Sequence, residues 1–249
     1  MKIKHISKSI YSLLLLASFS GFTQELEKKP TDSITSAAIT PVRLDRYGIR
    51  VGVDLSRLGR SLYQDSFRGF EAVADYRLTK KIYAAGELGT VDFTIDDDQL
   101  NFTTKGSYFK IGFDYNAYQN WLDMENMIYV GVRYGFSSFS QNLNSYKIYD
   151  KNGYFEDTVV YPDKKYSDLT AHWGEIIGGI KAEVLDNLFL GFSVRLNFLF
   201  TDKKPDDFDN LYIPGFNRTY DGTFGAGFNY TLSYFIPFYK KKVLPENKK

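Results

Sequence analysis

The chain has 249 residues, a formal net charge of +1 and no cysteine. The absence of cysteine excludes disulfide scaffolds, thiolate metal sites and lipid-anchored lipoproteins, and the near-neutral charge predicts no nucleic-acid partner. The mean hydropathy of −0.32 is too low for a helical membrane protein. It is compatible with membrane-spanning β-strands, because these alternate apolar with polar residues.

The start of the chain predicts a cleaved export signal. Basic Lys2, Lys4 and Lys8 precede an apolar run over residues 10–19, and small residues follow. This order is typical of a secretory signal peptide. The alternative, a helix that stays in the membrane, is disfavoured because the run is too short to span one. We predict cleavage after Thr23. The predicted parts are a signal peptide (1–23), a periplasmic lead-in (24–46), a strand region (47–239) and a basic tail (240–249).

Eight stretches after the lead-in alternate large apolar residues with small or polar ones, the period of a β-strand. The seventh is the clearest, with Phe192, Val194 and Leu196 alternating with Ser193 and Arg195. Each has a length that suits a tilted membrane crossing. In chain order the stretches cover residues 47–55, 69–77, 82–91, 109–115, 128–136, 172–184, 188–200 and 224–236.

The links between the stretches are of two kinds. Two are short, at residues 78–81 and 185–187, and a third, at residues 117–126, is somewhat longer. Short periplasmic turns at one rim and long extracellular loops at the other are typical of outer-membrane barrels. The predicted fold class is therefore all-β, a transmembrane antiparallel up-and-down β-barrel of eight strands. The long polar links are residues 56–68, 92–105, 138–171 and 201–221.

The apolar face is predicted to point outwards, to lipid. The alternative is a soluble barrel with that face inside, but the interior of eight strands is too narrow for so many Phe, Tyr and Leu side chains. More than half of the 20 glycines fall on the polar face, where they relieve crowding. Aromatic residues near the strand ends predict two interfacial girdles, unless they reflect only β-propensity. They are Tyr47, Tyr76, Tyr115 and Tyr234 at the short-turn end, and Phe70, Phe136, Phe198, Phe200 and Phe224 at the long-loop end.

The inward face carries charges of both signs, which predicts a salt-bridged, closed lumen because buried charges persist when they are paired. We interpret this network as structural, with no catalytic, cofactor or metal site. Its predicted members are Arg50, Asp54, Glu71, Asp75, Glu87, Lys110, Asp114, Arg133, Glu175, Lys181, Glu183 and Arg195.

Catalysis is the alternative to a structural role. After signal cleavage the only histidine is His172, beside Trp173, which we interpret as interfacial residues at the loop-side rim. The sequence has no G-x-S-x-G elbow and no zinc-binding pair of histidines. We therefore predict that the protein is not an enzyme.

The loop over residues 138–171 is rich in tyrosine, which suits recognition of an extracellular protein partner, although a loop packed on itself explains the tyrosines equally well. Asp150-Lys-Asn-Gly153 at its centre is a hairpin signal. The strands on either side are thus predicted to continue beyond the membrane.

The export signal, the eight alternating stretches and the aromatic final strand, Phe224 to Phe238, resemble the small outer-membrane barrels of the OmpA/OmpX type. The segment Gly227 to Phe235 is similar to the final-strand signal read by the barrel-assembly machinery. The tail over 240–249 departs from this pattern, since many such chains end on the aromatic residue. The abundance of Tyr, Asn and Lys resembles outer-membrane proteins of Bacteroidota.

This resemblance implies a location in the outer membrane of a Gram-negative bacterium. It implies contacts with membrane lipid, lipopolysaccharide and the assembly machinery. Because architecture does not determine function, two classes stay open: a structural or surface-interaction barrel, and a small pore or transporter. A lipid-modifying enzyme is the third.

Overall fold

The computed structural model describes residues 43–118, 125–148, 158–206, 208–217 and 223–243. The predicted signal peptide and most of the predicted lead-in lie outside these residues. The described elements are β1 (Arg43–Asp54), α1 (Leu55–Tyr63), β2 (Phe67–Arg77), β3 (Ile82–Asp96), β4 (Leu100–Asn116), β5 (Met127–Ile148), β6 (Thr158–Val160), β7 (Lys164–Leu185), β8 (Leu188–Asp202) and β9 (Phe224–Val243).

Among the described residues, no helix is both long enough and apolar enough to cross a membrane.

Eight of the strands form a closed ring. Each pairs antiparallel with the next along the chain, with β5 passing directly to β7, and β9 pairs back to β1. The closing register runs from Arg43↔Val243 to Asp54↔Thr231. The short strand β6 stands outside the ring and pairs with the end of β5, at residues 146–148. The structure thus confirms an all-β, antiparallel sheet that closes on itself.

The two faces of the ring differ in chemistry. Along β4 and β5, Ile111 and Val132 are 57% and 55% exposed, whereas the adjacent Lys110 and Arg133 are only 1% and 6% exposed. The alternation therefore turns large apolar side chains outwards and charged side chains into the ring's interior. This confirms the predicted orientation of the two faces.

The start of β1 corrects two sequence predictions. The strand begins at Arg43 instead of Tyr47, and its partner β9 continues past Tyr239 to Val243. A register shift between Tyr47 and Gly48 changes the phase of the alternation. Tyr47 is consequently buried, with its ring 4.9 Å from the guanidinium carbon of Arg77. Its assignment to an outward girdle was wrong.

Trp173 is also inside the ring and not in a girdle. Its side chain is fully buried, and its indole Nε1–H donates to Glu175 Oε1 over 2.8 Å. Trp173 shares the inward phase of β7 with Glu175, so its neighbour His172 is the residue that faces out.

Two of the predicted polar loops contain packed structure. The loop after β1 begins with helix α1, whose first turn is capped where Ser56 N–H donates to Asp54 Oδ1 over 2.8 Å. The loop after β8 sends residues 211–217, which we call the plug, into the long-loop end of the ring. Tyr212, Ile213 and Phe216 of the plug are at most 2% exposed.

The plug packs against aromatic side chains that point inwards from the strands. Phe216 lies edge-on to Trp173, and Tyr212 lies edge-on to Phe93. Between them Gly215 has φ +86°, and a Cβ there would approach Tyr108 to 2.6 Å. A residue with a side chain would therefore strain the backbone and clash, so the plug's turn requires glycine.

Candidate functional site

The middle of the ring holds a cluster of ion pairs that joins opposite walls. Arg195 on β8 donates to Glu87 on β3 over 2.6 Å and 3.0 Å, and to Glu175 on β7 over 3.0 Å. Lys110 Nζ lies 3.3 Å from Glu87 and 3.2 Å from Glu175. Arg133 Nε lies 3.4 Å from the same Glu87 carboxylate. Each acid here therefore faces more than one base.

A second cluster lies towards the short-turn end. Asp75 accepts from Arg50 Nε over 2.7 Å and from Lys181 Nζ over 2.6 Å. Arg133 Nη1 lies 2.7 Å from Asp114, which is fully buried. Because Arg133 reaches both Asp114 and the middle cluster, the two layers are continuous.

A third cluster lies towards the long-loop end and contains a base that sequence reasoning missed. Arg57 of α1 lies 3.2 Å from Glu71 and 3.7 Å from Asp54. Asn229 on β9 donates to both carboxylates, over 2.5 Å to Asp54 and 2.9 Å to Glu71. Tyr108 also donates to Glu71.

The short-turn rim has its own charged group. Arg77 lies 3.1 Å from Asp45 and 3.1 Å from Glu125, and Arg46 lies 3.1 Å from Glu183. Glu125 belongs to the link between β4 and β5. Burial raises the pKa of its carboxyl group, and the facing Arg77 opposes that rise without cancelling it.

The structure brings eleven of the twelve predicted network residues into the three interior clusters. The twelfth, Glu183, lies apart at the short-turn rim, paired with Arg46. Sequence reasoning missed Arg57 because it treated residues 56–68 as a plain loop. A signal existed in the sequence, since Leu55, Leu58 and Leu62 recur at helical spacing, with Arg57 and Ser61 on a separate polar stripe.

The interior has the chemistry of a filled, charge-compensated core. Bases and acids alternate across it at hydrogen-bonding distance, and the plug covers its long-loop end. Removing one partner of a buried pair typically costs about 3–5 kcal/mol, because the other charge is left unpaired. The arrangement therefore opposes any change that separates the walls.

His172 lies on the other side of the wall from these charges. Its Nδ1 lies 2.6 Å from the hydroxyl of Tyr134, and its ring centroid is 4.8 Å from that of Phe136. Both partners lie on the outward phase of β5, and Phe136 is one of the predicted girdle residues. The imidazole therefore contacts aromatic residues of the outer face and has no contact with the interior carboxylates.

Strand β5 continues beyond its last pair with β7, Leu143↔Lys164, as an extension made of residues 144–148 and 158–163 and including β6. Apolar side chains are exposed there: Ile148 by 53% and Tyr161 by 75%. The predicted hairpin turn, Asp150 to Gly153, lies outside the described residues.

Comparisons with known proteins find a matching family and a similar solved structure. The profile of a protein family described as "Domain of unknown function (DUF6048)" matches residues 6–241. No curated protein matches the chain in sequence. The structure is similar to the crystal structure of Ail, the attachment invasion locus protein of Yersinia pestis, at 8% sequence identity and a TM-score of 0.38, over 77% of this chain and 97% of that chain.

Proposed function

This chain belongs to the DUF6048 family, and we propose that it is an integral outer-membrane β-barrel of eight strands. Its lumen is closed by ion pairs, and it acts without catalysis as a structural or surface-interaction protein. The cleaved signal peptide and the Gram-negative outer membrane are parts of this proposal. So are its partners: membrane lipid and lipopolysaccharide, the assembly machinery at the final strand, and an extracellular protein.

The observation that carries the proposal is the inverted distribution of polarity. Leu88 on β3 and Phe228 on β9 are exposed by 64% and 61%, while Glu71 on β2 and Lys110 on β4, which lie in the interior, are at most 1% exposed. A continuous apolar band of this size around a protein in water would be an aggregation hazard. The same band is what a bilayer requires of a spanning strand.

The interior supports a structural role over the pore or transporter. The middle cluster of Glu87, Glu175, Lys110 and Arg195 occupies the width of the ring. An eight-stranded ring leaves an interior just wide enough for its own side chains. Ions would have to break several pairs in order to pass.

The extension supports surface interaction. Ile148 and Val159 are exposed beyond the apolar band on the paired strands β5 and β6, and Tyr161 is exposed directly after β6. Exposed aromatic and aliphatic side chains on an ordered element favour protein recognition. His172 contacts Tyr134 on the outer face. This position, away from the interior carboxylates, supports a role without catalysis.

The experiment compares two forms of the protein on cells. In the test variant residues 144–163 are replaced by an Asn-Gly turn, which joins the paired positions Leu143 and Lys164. We expect equal amounts of both forms in the outer membrane, and attachment of cells to surfaces or to each other only with the wild type. Equal attachment by both forms would contradict the surface role, and wild type in a soluble fraction would contradict the barrel.

A further inference from the structure

The wall of the ring is incomplete on one side at the long-loop end. Strand β1 pairs with β2 only as far as Val53↔Ala72, and with β9 only as far as Asp54↔Thr231. Beyond these pairs β1 gives way to α1. Among the described residues, no strand stands between residues 67–71 of β2 and 224–230 of β9. We call this space the window.

Helix α1 fills part of the window. Its polar side faces the ring, where Arg57 reaches Glu71, and Ser61 Oγ accepts from Gly69 N–H over 2.9 Å. Its apolar side faces out, with Leu62 88% exposed. The helix is thus oriented like the strands around it, polar side inwards and apolar side outwards, and it contacts both β2 and β9.

A cavity of about 1280 Å³ remains beside the helix. Its inner lining is polar and includes Asp54, Arg57 and Asn229. Its outer lining is the apolar face of β8 and β9, where Phe228 is 61% and Tyr230 50% exposed. The cavity therefore lies between the third charge cluster and the surface that the proposed function assigns to lipid.

The linings of this cavity require an occupant that is polar at one end and apolar at the other. Strand edges at membrane depth need hydrogen-bonding partners, because hydrocarbon offers none. A lipid chain alone therefore cannot cover residues 224–230, and water alone would lie against Phe228 and Tyr230. A molecule with a polar head and a hydrocarbon chain satisfies both linings.

We infer that the window is a lateral binding site for a single lipid of the surrounding membrane, an inference that rests on the proposed function. One acyl chain lies along Phe192, Phe228 and Tyr230, and the head group enters beside α1 at Ser56 and Asn217, which line the cavity and are partly exposed. Arg57 is already paired with Asp54 and Glu71. The site therefore suits a zwitterionic or hydroxylated head group and not a polyanionic one.

The test uses purified full-length protein in phosphatidylethanolamine-containing vesicles with two photoactivatable phosphatidylethanolamines. One carries a diazirine in the acyl chain and the other carries it in the head group. Insertion is checked first by the mobility shift of the folded protein on unheated gels. Failure to insert contradicts the proposed function, whereas the labelling pattern of inserted protein tests the lipid site.

The expected pattern is specific to the window. The head-group probe should label α1 and the segment around Asn229 severalfold more than other membrane-depth segments, since ordinary surrounding lipids place their head groups only at the rims. The chain probe should label residues 224–230 severalfold more than the outer groove over Ala84, Ile111 and Val132, where neighbouring strands are paired throughout. Even labelling around the ring would overturn the inference.

Filling the cavity supplies the matched control. Ala226→Trp projects from the cavity's outer lining and should abolish the excess labelling by both probes. Ala182→Trp changes an exposed alanine on β7 away from the window and should leave that excess unchanged. Ala226→Leu gives a second, smaller filling if the tryptophan variant does not insert. Labelling that persists in an inserted Ala226 variant would also overturn the inference.

Discussion

Arg195 on β8 and Glu87 on β3 form a two-pronged ion pair across the ring, with nitrogen-to-oxygen distances of 2.6 Å and 3.0 Å. Their strands are separated by β9, β1 and β2 in the order of the ring. The pair therefore joins distant walls and occupies the interior between them. Since both side chains are at most 6% exposed, separating the walls would leave two charges unpaired and away from water.

Replacement of Arg195 by methionine should lower the free energy of unfolding by about 3–5 kcal/mol, the usual cost of removing one partner of a buried ion pair. Glu87 would keep Lys110 and Arg133, but Lys110 would be the one base left beside Glu175. Urea unfolding in lipid vesicles measures the change. Arg195→Met with Glu87→Gln should lose less than the sum of the single changes, and strict additivity would show that the pair is not coupled.

An outward valine at mid-strand should not tolerate a charge. Val132 on β5 is 55% exposed, and Val132→Arg is expected to cost about 2–4 kcal/mol if the side chain meets the middle of a bilayer. Val159→Arg is the matched control, because Val159 lies on β6 beyond the ring; a surface change there should stay within about 0.5 kcal/mol. Equal costs for the two variants, measured by folding into vesicles, would argue against a lipid-facing band.

The closed interior should conduct no steady, large current in a planar bilayer. The plug and the middle cluster both obstruct the interior, so replacing the plug, residues 211–217, by a Gly-Ser linker should leave the wild-type result unchanged unless the cluster is also weakened. Combining that replacement with Arg133→Ser and Arg195→Ser removes two of the bases that hold Asp114, Glu87 and Glu175, and leaves Lys110 beside both glutamates. We expect small, flickering currents from the combined variant. A stable channel of porin size in the wild type would contradict the closed lumen.

Glu125 at the short-turn rim should give a measurable pH dependence. Its pKa is raised by burial above the usual 4.5, so the folded protein holds this proton more tightly than the unfolded chain. Its contribution to stability is therefore present below pH 4.5 and is lost as the pH rises through the raised pKa. Relative to Glu125→Gln, wild type should lose unfolding free energy as the pH rises from about 4 to about 7. A difference that stays constant with pH would refute the assignment.

Period-two alternation made the ring and its faces predictable. Positions such as Ile111 and Lys110 differ in chemistry along a single strand, and a closed sheet then fixes which face each occupies. The charged residues of the interior follow from the same phase. Their partners do not follow, because the pairing of Arg195 with Glu87 depends on the closure of the ring and not on neighbouring strands.

The features that escaped prediction break the simple alternation. Tyr47 lies at a register shift, where two successive residues turn inwards. The plug and α1 lie in segments without a strand period, and their burial depends on inward aromatic residues such as Trp173 and Tyr108. The outward-girdle interpretation of Trp173 placed it beside His172 and overlooked that neighbours in a strand face opposite sides.

The orientation of the outer face is tested most directly by spin labels along β5. The chain contains no cysteine, so a single cysteine can be introduced at each position from 128 to 136 in turn and labelled in protein reconstituted in vesicles. The account predicts high oxygen accessibility and low accessibility to a water-soluble nickel chelate at positions 128, 130, 132 and 134. Positions 129, 131, 133 and 135 should be poorly accessible to both. High accessibility to the nickel chelate at the even positions would show that water and not lipid covers the apolar face, and would contradict the account.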